Sequence, residues 1–247
     1  MATYTIRPIP IAKIHNFPKS LMTYKMGFGE SLSIVSYIWY LESEKIKKNI
    51  LIDAGSSAAR YRQRGFEAQE IQSVKDGLNK LGLGLSDIDM IIVTHLHHDH
   101  IECAKQFNKA KFFVQKMELE SAFKPHPVLA DPYIKELFEG LNFETINGDT
   151  YIEEGIELLF TPGHTLGGQS VAIDTNKGKA IITGLCCVND NFNPPPEVRE
   201  HLTVIPCGLH GDVLKAYDSL LRISKAADIV IPNHEAAFIN LEKIPEV

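Results

Sequence analysis

Two rhythms of apolar and polar residues run along this chain of 247 residues. Short apolar runs and period-two alternation mark strands, and a 3.6-residue period marks amphipathic helices. Ser31 to Leu41, rich in Ile, Val, Tyr and Trp, predicts a strand. Asn49-Ile50-Leu51-Ile52-Asp53-Ala54-Gly55 predicts a second, ending in Asp-Ala-Gly. From Glu70 to Leu81, Ile71, Val74, Leu78 and Leu81 recur at helical spacing, and Gly82 ends the helix. Met90-Ile91-Ile92-Val93 reads as a buried strand, followed after His100 by a helix to about Phe107 and by a strand from Ala110 to Gln115. Phe143 to Ile146, Glu157 to Thr161, Ser170 to Asp174 and Ala180 to Thr183 are successive strand candidates. Gly148-Asp149 and Asn176-Lys177-Gly178 punctuate them as turns, and the last pair forms a hairpin. Asp212 caps a helix with the apolar face Val213, Leu214, Tyr217, Leu220 and Leu221, and Asp228 to Ile231 is the last buried strand.

Other stretches are less regular. Residues 1–30 hold apolar pieces broken by Pro8, Pro10 and Pro18, with Met22, Met26 and Phe28 as core or surface filler or as a pocket lining. Residues 56–68, with Arg60, Arg62 and Arg64, read as a solvated loop. Residues 117–140 predict two short helices interrupted by Lys124-Pro125-His126-Pro127, with Asp131-Pro132 as a cap; the segment is either a lid or an ordinary helical layer. Residues 188–208, with Pro194, Pro195 and Pro196, read as a loop. Strands and helices alternate in both halves without a linker, so residues 1–247 are expected to form one mixed α/β domain.

Composition narrows the function. Hydrophobic residues make up 44% and charged residues 23%, a soluble globular profile. A net charge of -6 argues against a nucleic-acid or anionic-membrane surface. No apolar run reaches the length of a membrane span, and the first residues carry no apolar signal core. Four cysteines, two of them adjacent, do not form a disulfide framework, so a reducing cytoplasm fits best. A monomer or a homodimer is left open.

The chemistry concentrates in Thr94-His95-Leu96-His97-His98-Asp99-His100, directly after the Met90–Val93 run. Imidazoles and a carboxylate at this density point to a metal, and the nitrogen-rich set favours zinc or iron over magnesium or calcium. In an extended segment His95 and His97 point to one side. Once the chain turns into a helix after His97, Asp99 and His100 project elsewhere, which suits two adjacent ions better than one. Thr161-Pro162-Gly163-His164-Thr165 and Pro232-Asn233-His234 each place a further histidine just past a strand. Asp53, at the end of its strand, caps a turn.

His95-x-His97-x-Asp99-His100 after a buried strand resembles the signature of the metallo-β-lactamase superfamily. The resemblance implies a four-layer αββα sandwich. It also implies that His95, His97 and His164 hold a first metal, that Asp99, His100 and His234 hold a second, and that Asp53 orients a histidine. His98 is left free. His15, His126, His201 and His210 match no element, with His210 the one most worth watching. Two-metal members carry an aspartate bridging both ions, and here Leu185 stands in its place. Either Cys186 or Cys187 supplies a thiolate instead, Cys186 being the better placed, or both are buried small apolar groups and the chain holds one ion.

Within the superfamily the chain most resembles the N-acyl homoserine lactonase group. The length, the Thr-Pro-Gly-His-Thr-x-Gly-Gly-Gln-Ser run around His164 and the spacing to His234 carry this. The implied reaction is hydrolysis of a small ester or lactone by water whose pKa a metal lowers to about 7, with Asp99 passing a proton to the leaving alkoxide. Family lactonases place a carbonyl-assisting tyrosine where this chain has Val188. Two alternatives stay open. One is a glyoxalase-II-like thioesterase. The other is a metal-binding protein, redox-linked through Cys186 or Cys187, with little hydrolytic activity.

Overall fold

The computed structural model describes residues 2–246. Among the described residues twelve strands form two sheets: β1 (Thr5–Pro18), β2 (Ser31–Glu42), β3 (Ile50–Ile52), β4 (Glu67–Glu70), β5 (Met90–Ile92), β6 (Lys111–Gln115), β7 (Phe143–Ile146), β8 (Thr150–Glu153), β9 (Ile156–Phe160), β10 (Gln169–Thr175), β11 (Gly178–Ile182) and β12 (Ile229–Ile231). One sheet has the order β4-β1-β2-β3-β5-β6-β7 and the other β12-β11-β10-β9-β8.

Period-two geometry explains the layers. Ile50 and Ile52 of β3, Met90 and Ile92 of β5, and Ala180 and Ile182 of β11 point between the sheets, where they pack with Trp39, Leu158, Val171 and Ile231. Leu51 and Ile91 point the other way, onto Val74, Leu78, Ala122 and Phe138. Ile181 faces Ala216, Leu220 and Ile223 of the Val213–Ala226 helix. Each central strand is therefore buried on both faces, which is why its sequence is apolar throughout. Helices cover both outer faces, giving the expected αββα sandwich. No helix among the described residues is long and apolar enough to cross a membrane.

Several segments differ from the sequence reading. Residues 5–18 form one long strand despite Pro8 and Pro10. Pro8 and Pro10 pair with Trp39 and Tyr37. They share parity with Ile6, whose N–H points away from β2 to Ile244 O at 2.8 Å. The missing proline N–H groups thus fall on the β4 edge of β1, along a stretch that β4 does not reach, since β4 pairs only with Ala12 to His15. The arginine-rich stretch is a helix, Ala58–Gln63, followed by β4. The next helix starts only at Val74, capped by Ser73, because Glu67 to Glu70 are taken up by strand pairing. Strand β8 is an addition to the sequence reading. Asp131 caps no helix and instead pairs with Arg64. Leu214 is 75% exposed, so the apolar face of its helix runs through Ala216, Leu220 and Ile223. The Asp212 cap is present, its side chain accepting from the N–H groups of Leu214 and Lys215.

Candidate metal centre

Every clustered side chain leaves the end of a strand. His95 and His97 follow β5, and His97 is the N-cap of a one-turn helix, His98–Ile101, that carries Asp99 and His100. His164 follows β9 past Pro162-Gly163, His234 follows β12, and Asp53 follows β3. The two sheets thus aim their strand ends at one place. Gly163 makes the His164 turn possible. Its φ is 135°, and a Cβ there would overlap the backbone of Ala216. Gly163→Ala is expected to destabilise the protein by about 3 kcal/mol or more, combining overpacking with backbone strain. A urea-unfolding midpoint equal to wild type would contradict this packing.

The rings of His95, His97 and His164 stand nearly perpendicular to one another, with centroids 4.7–4.8 Å apart. One ligand atom from each lies within 4.8 Å of the other two, and the same holds for His95, Asp99 and His100. His234 closes the far side, with its Nε2 3.7 Å from Asp99 Oδ2 and its ring 5.1 Å from His100. His100 Nε2 lies 3.4 Å from the same Asp99 oxygen.

Hydrogen bonds on the outer ring nitrogens set the tautomers. His164 Nδ1 donates to Leu209 O at 2.7 Å and His234 Nδ1 to Val35 O at 3.2 Å. His100 Nδ1 donates to Asp53 Oδ2 at 2.7 Å. Thr94 gives its hydroxyl proton to Asp53 at 2.9 Å, so it accepts from His95 Nδ1 at 3.2 Å. Each proton is therefore on the outer nitrogen, and each Nε2 lone pair turns inward. The Nε2 atoms of His95 and His100 are buried without a hydrogen-bond partner. Buried polar atoms left this way in a native fold call for a ligand. Imidazole nitrogens gathered beside a carboxylate fit zinc or iron.

Electrostatics agree for the three histidines His95, His97 and His164, whereas His100, between two carboxylates, favours its charged form until a cation displaces the proton. Burial and the neighbouring rings hold His95 and His97 far below the ordinary imidazole range. Burial lowers His164 to about 4. Burial opposes a charged His100 as well, but the Asp99 and Asp53 carboxylates outweigh it and raise that ring to about 10. For Asp99 burial opposes the anion, yet His100, His98 and His234 hold the carboxyl well below its usual range.

Asp53 ties the strand ends together. It is fully buried, with φ at 58°, and also accepts from Thr94 N at 2.8 Å and Asn233 Nδ2 at 2.9 Å. Asn233 Oδ1 accepts from the Trp39 indole N–H at 2.8 Å.

The model of the metallo-beta-lactamase superfamily matches residues 34–234, a span that contains all of these groups. The chain belongs to the metallo-β-lactamase superfamily. An N-acyl homoserine lactonase from Bacillus sp is 31% identical over 167 residues, or 62% of this chain and 64% of the relative. The N-acyl homoserine lactonase AttM of Rhizobium radiobacter is 31% identical over 119 residues, 45% of each chain. The chain thus aligns with less than two thirds of the length of these relatives. Over whole structures, a quorum-quenching N-acyl homoserine lactone lactonase shares the fold with a TM-score of 0.77 at 24% identity, covering 97% of this chain and 95% of that one. AidC, a dizinc quorum-quenching lactonase, superposes with a TM-score of 0.68 at 15% identity, covering 98% and 92%.

Against the superfamily pattern, Leu185 is buried and has no ligating atom. Neither cysteine joins the two ligand groupings found among the described residues. Cys186 Sγ packs 3.5 Å from Met22 Sδ, and Cys187 Sγ lies 3.0 Å from Thr183 Oγ1. Burial raises both thiols, Cys187 to about 12, which suits small apolar groups rather than thiolates. Met22 is therefore core, while Phe28 is 75% exposed.

A pocket of about 460 Å³ opens above the cluster. His97, His98, Asp99, His164 and His234 form its polar floor, and Phe17, Leu21, Phe66, Leu129 and Leu209 its apolar wall. Val128, Leu129, Asp131, Pro132 and Tyr133, from the segment read as lid or layer, form one side, and Arg64 crosses to Asp131 at the rim. His98, left free by the motif, packs edge-on against Tyr61. His210 also reaches the pocket, its Nδ1 held by Cys207 O at 2.9 Å. His15 lies in β1, His126 caps the turn at Pro127–Leu129, and His201 is exposed; none joins the cluster. Sequence reasoning passed over Tyr61 and Glu118, and named Tyr133 only for the apolar side of the 117–140 segment. Their neighbourhoods read as a solvated loop and as a lid or helical layer, and only tertiary packing buries Tyr61 and Glu118.

Proposed function

We propose that the protein is a metal-dependent hydrolase that opens a small lactone or ester. In this reading zinc is held by His95, His97 and His164, and a second ion by Asp99, His100 and His234. The observation that carries it is the convergence of histidines from both sheets at the base of a pocket with an apolar wall, with the Nε2 atoms of His95 and His100 buried and unpartnered beneath it. The lactonase names of the relatives support the choice of substrate. A divalent cation at such a site acidifies water and polarises a carbonyl oxygen.

The chain's own residues do the rest. The outer hydrogen bonds of His95, His100, His164 and His234 keep their Nε2 atoms aimed inward without reorganisation. The apolar wall takes the acyl part of the substrate and excludes water from the reacting carbonyl. Asp99, whose side chain is 18% exposed toward the pocket, takes a proton on Oδ2 and returns it to the leaving alkoxide. The lack of a carboxylate at Leu185 makes the second ion the weaker one. All four cysteines are free, which supports residence in a reducing cytoplasm.

The test is acid release from panels of acyl lactones, esters and thioesters, with zinc content measured in parallel. Lactone turnover that chelator abolishes and zinc restores is the expected result. Thioester turnover without lactone turnover would favour the glyoxalase-II-like alternative, and no turnover across the panels would refute the hydrolase.

A further inference from the structure

Glu118 is the one fully buried carboxylate outside the cluster among the described residues, and it makes no ion pair there. It sits in the first turn of the Lys116–Phe123 helix. Its Oε1 accepts from Leu96 N at 3.0 Å and from Tyr133 Oη at 3.0 Å, and its Oε2 accepts from Gly167 N at 3.2 Å. Leu96 separates His95 from His97, and Gly167 lies in the turn that follows His164. Tyr133 packs edge-on against His97, with centroids 4.7 Å apart. One carboxylate thus bonds to both histidine loops and to the pocket wall.

The chemistry of the three donors demands an acceptor on both arms. A glutamine would turn an NH₂ group toward one of the N–H donors. A carboxylate satisfies all three, although its burial without a cationic partner is unfavourable and raises its pKa. Room is made for it as well, since a Cβ on Gly167 would overlap the Glu118 backbone.

We propose that Glu118 is a positioning residue: its carboxylate sets the distance between the His95–His97 loop and the His164 loop and seats Tyr133 against His97. The inference rests on the reading that these three histidines hold a divalent ion.

Zinc affinity, measured by competition with a chromophoric chelator, and the visible spectrum of the cobalt(II) protein test it. Wild type that takes up no zinc overturns the metal-site reading, and this inference with it. With wild type binding zinc, Glu118→Gln is expected to fold, to bind the first zinc about 10–100-fold more weakly, and to shift the cobalt bands. Affinity within twofold of wild type and an unchanged cobalt spectrum overturn the inference alone, even if the unfolding midpoint falls. Should Glu118→Gln not fold, Tyr133→Phe decides. It keeps the ring on His97 and removes one donor, and about fivefold weaker zinc binding is expected. Unchanged affinity and cobalt bands in that variant overturn the inference.

Discussion

Asp99→Asn is expected to leave the fold intact and to lower kcat/KM for lactone opening by about 10²–10⁴-fold, the range for a lost proton-transfer group. The side chain lines the pocket and stands 3.4 Å from His100 Nε2 and 3.7 Å from His234 Nε2. An amide occupies the same space but cannot carry the proton to the leaving oxygen. It also removes the negative charge that two imidazoles face. The check is steady-state kinetics on zinc-loaded wild type and variant, with circular dichroism to confirm the fold. Turnover within threefold of wild type would take Asp99 out of the reaction.

Asp53→Ala is expected to act on stability. The carboxylate accepts from Thr94 N, Thr94 Oγ1, His100 Nδ1 and Asn233 Nδ2, all buried. Removing it strands these donors together and deprives His100 of its partner, a loss of about 3–5 kcal/mol for a broken buried pair. Alanine also tolerates the left-handed backbone at this position less well than aspartate does. At about 2–4 °C per kcal/mol for a chain of this size, the metal-free protein should melt roughly 6–20 °C lower. A change below about 2 °C in a thermal melt would mean that Asp53 merely fills a turn.

The residues that carried most of the sequence reading are those whose neighbours in sequence are also their neighbours in cause. Met90-Ile91-Ile92 is apolar because both faces of β5 are covered, and the histidines follow it because strand ends are where both sheets open. His97 is where the extended run becomes a helix, so the change of direction expected between His97 and Asp99 is present. Strand β1 was hidden because proline usually ends a strand. Only the pairing pattern shows that Pro8 and Pro10 turn their missing N–H groups to an open side. Glu118 was hidden for the opposite reason. A glutamate in the first turn of a short helix is ordinary, and what makes this one unusual comes from Leu96, Tyr133 and Gly167, distant in sequence. The arginine-rich stretch likewise gave no sign that Tyr61 turns inward beneath His98.

The chain contains a single tryptophan, and that indole is the Trp39 ring bonded to Asn233, which is bonded in turn to Asp53 and so to His100. All of the protein's indole emission therefore originates in the dry space between the sheets, three hydrogen bonds from His100. The fluorophore sits at the Asp53 side of the cluster rather than on a solvent-facing surface. The molecule thus carries a native optical gauge of that end of the site, readable without any label.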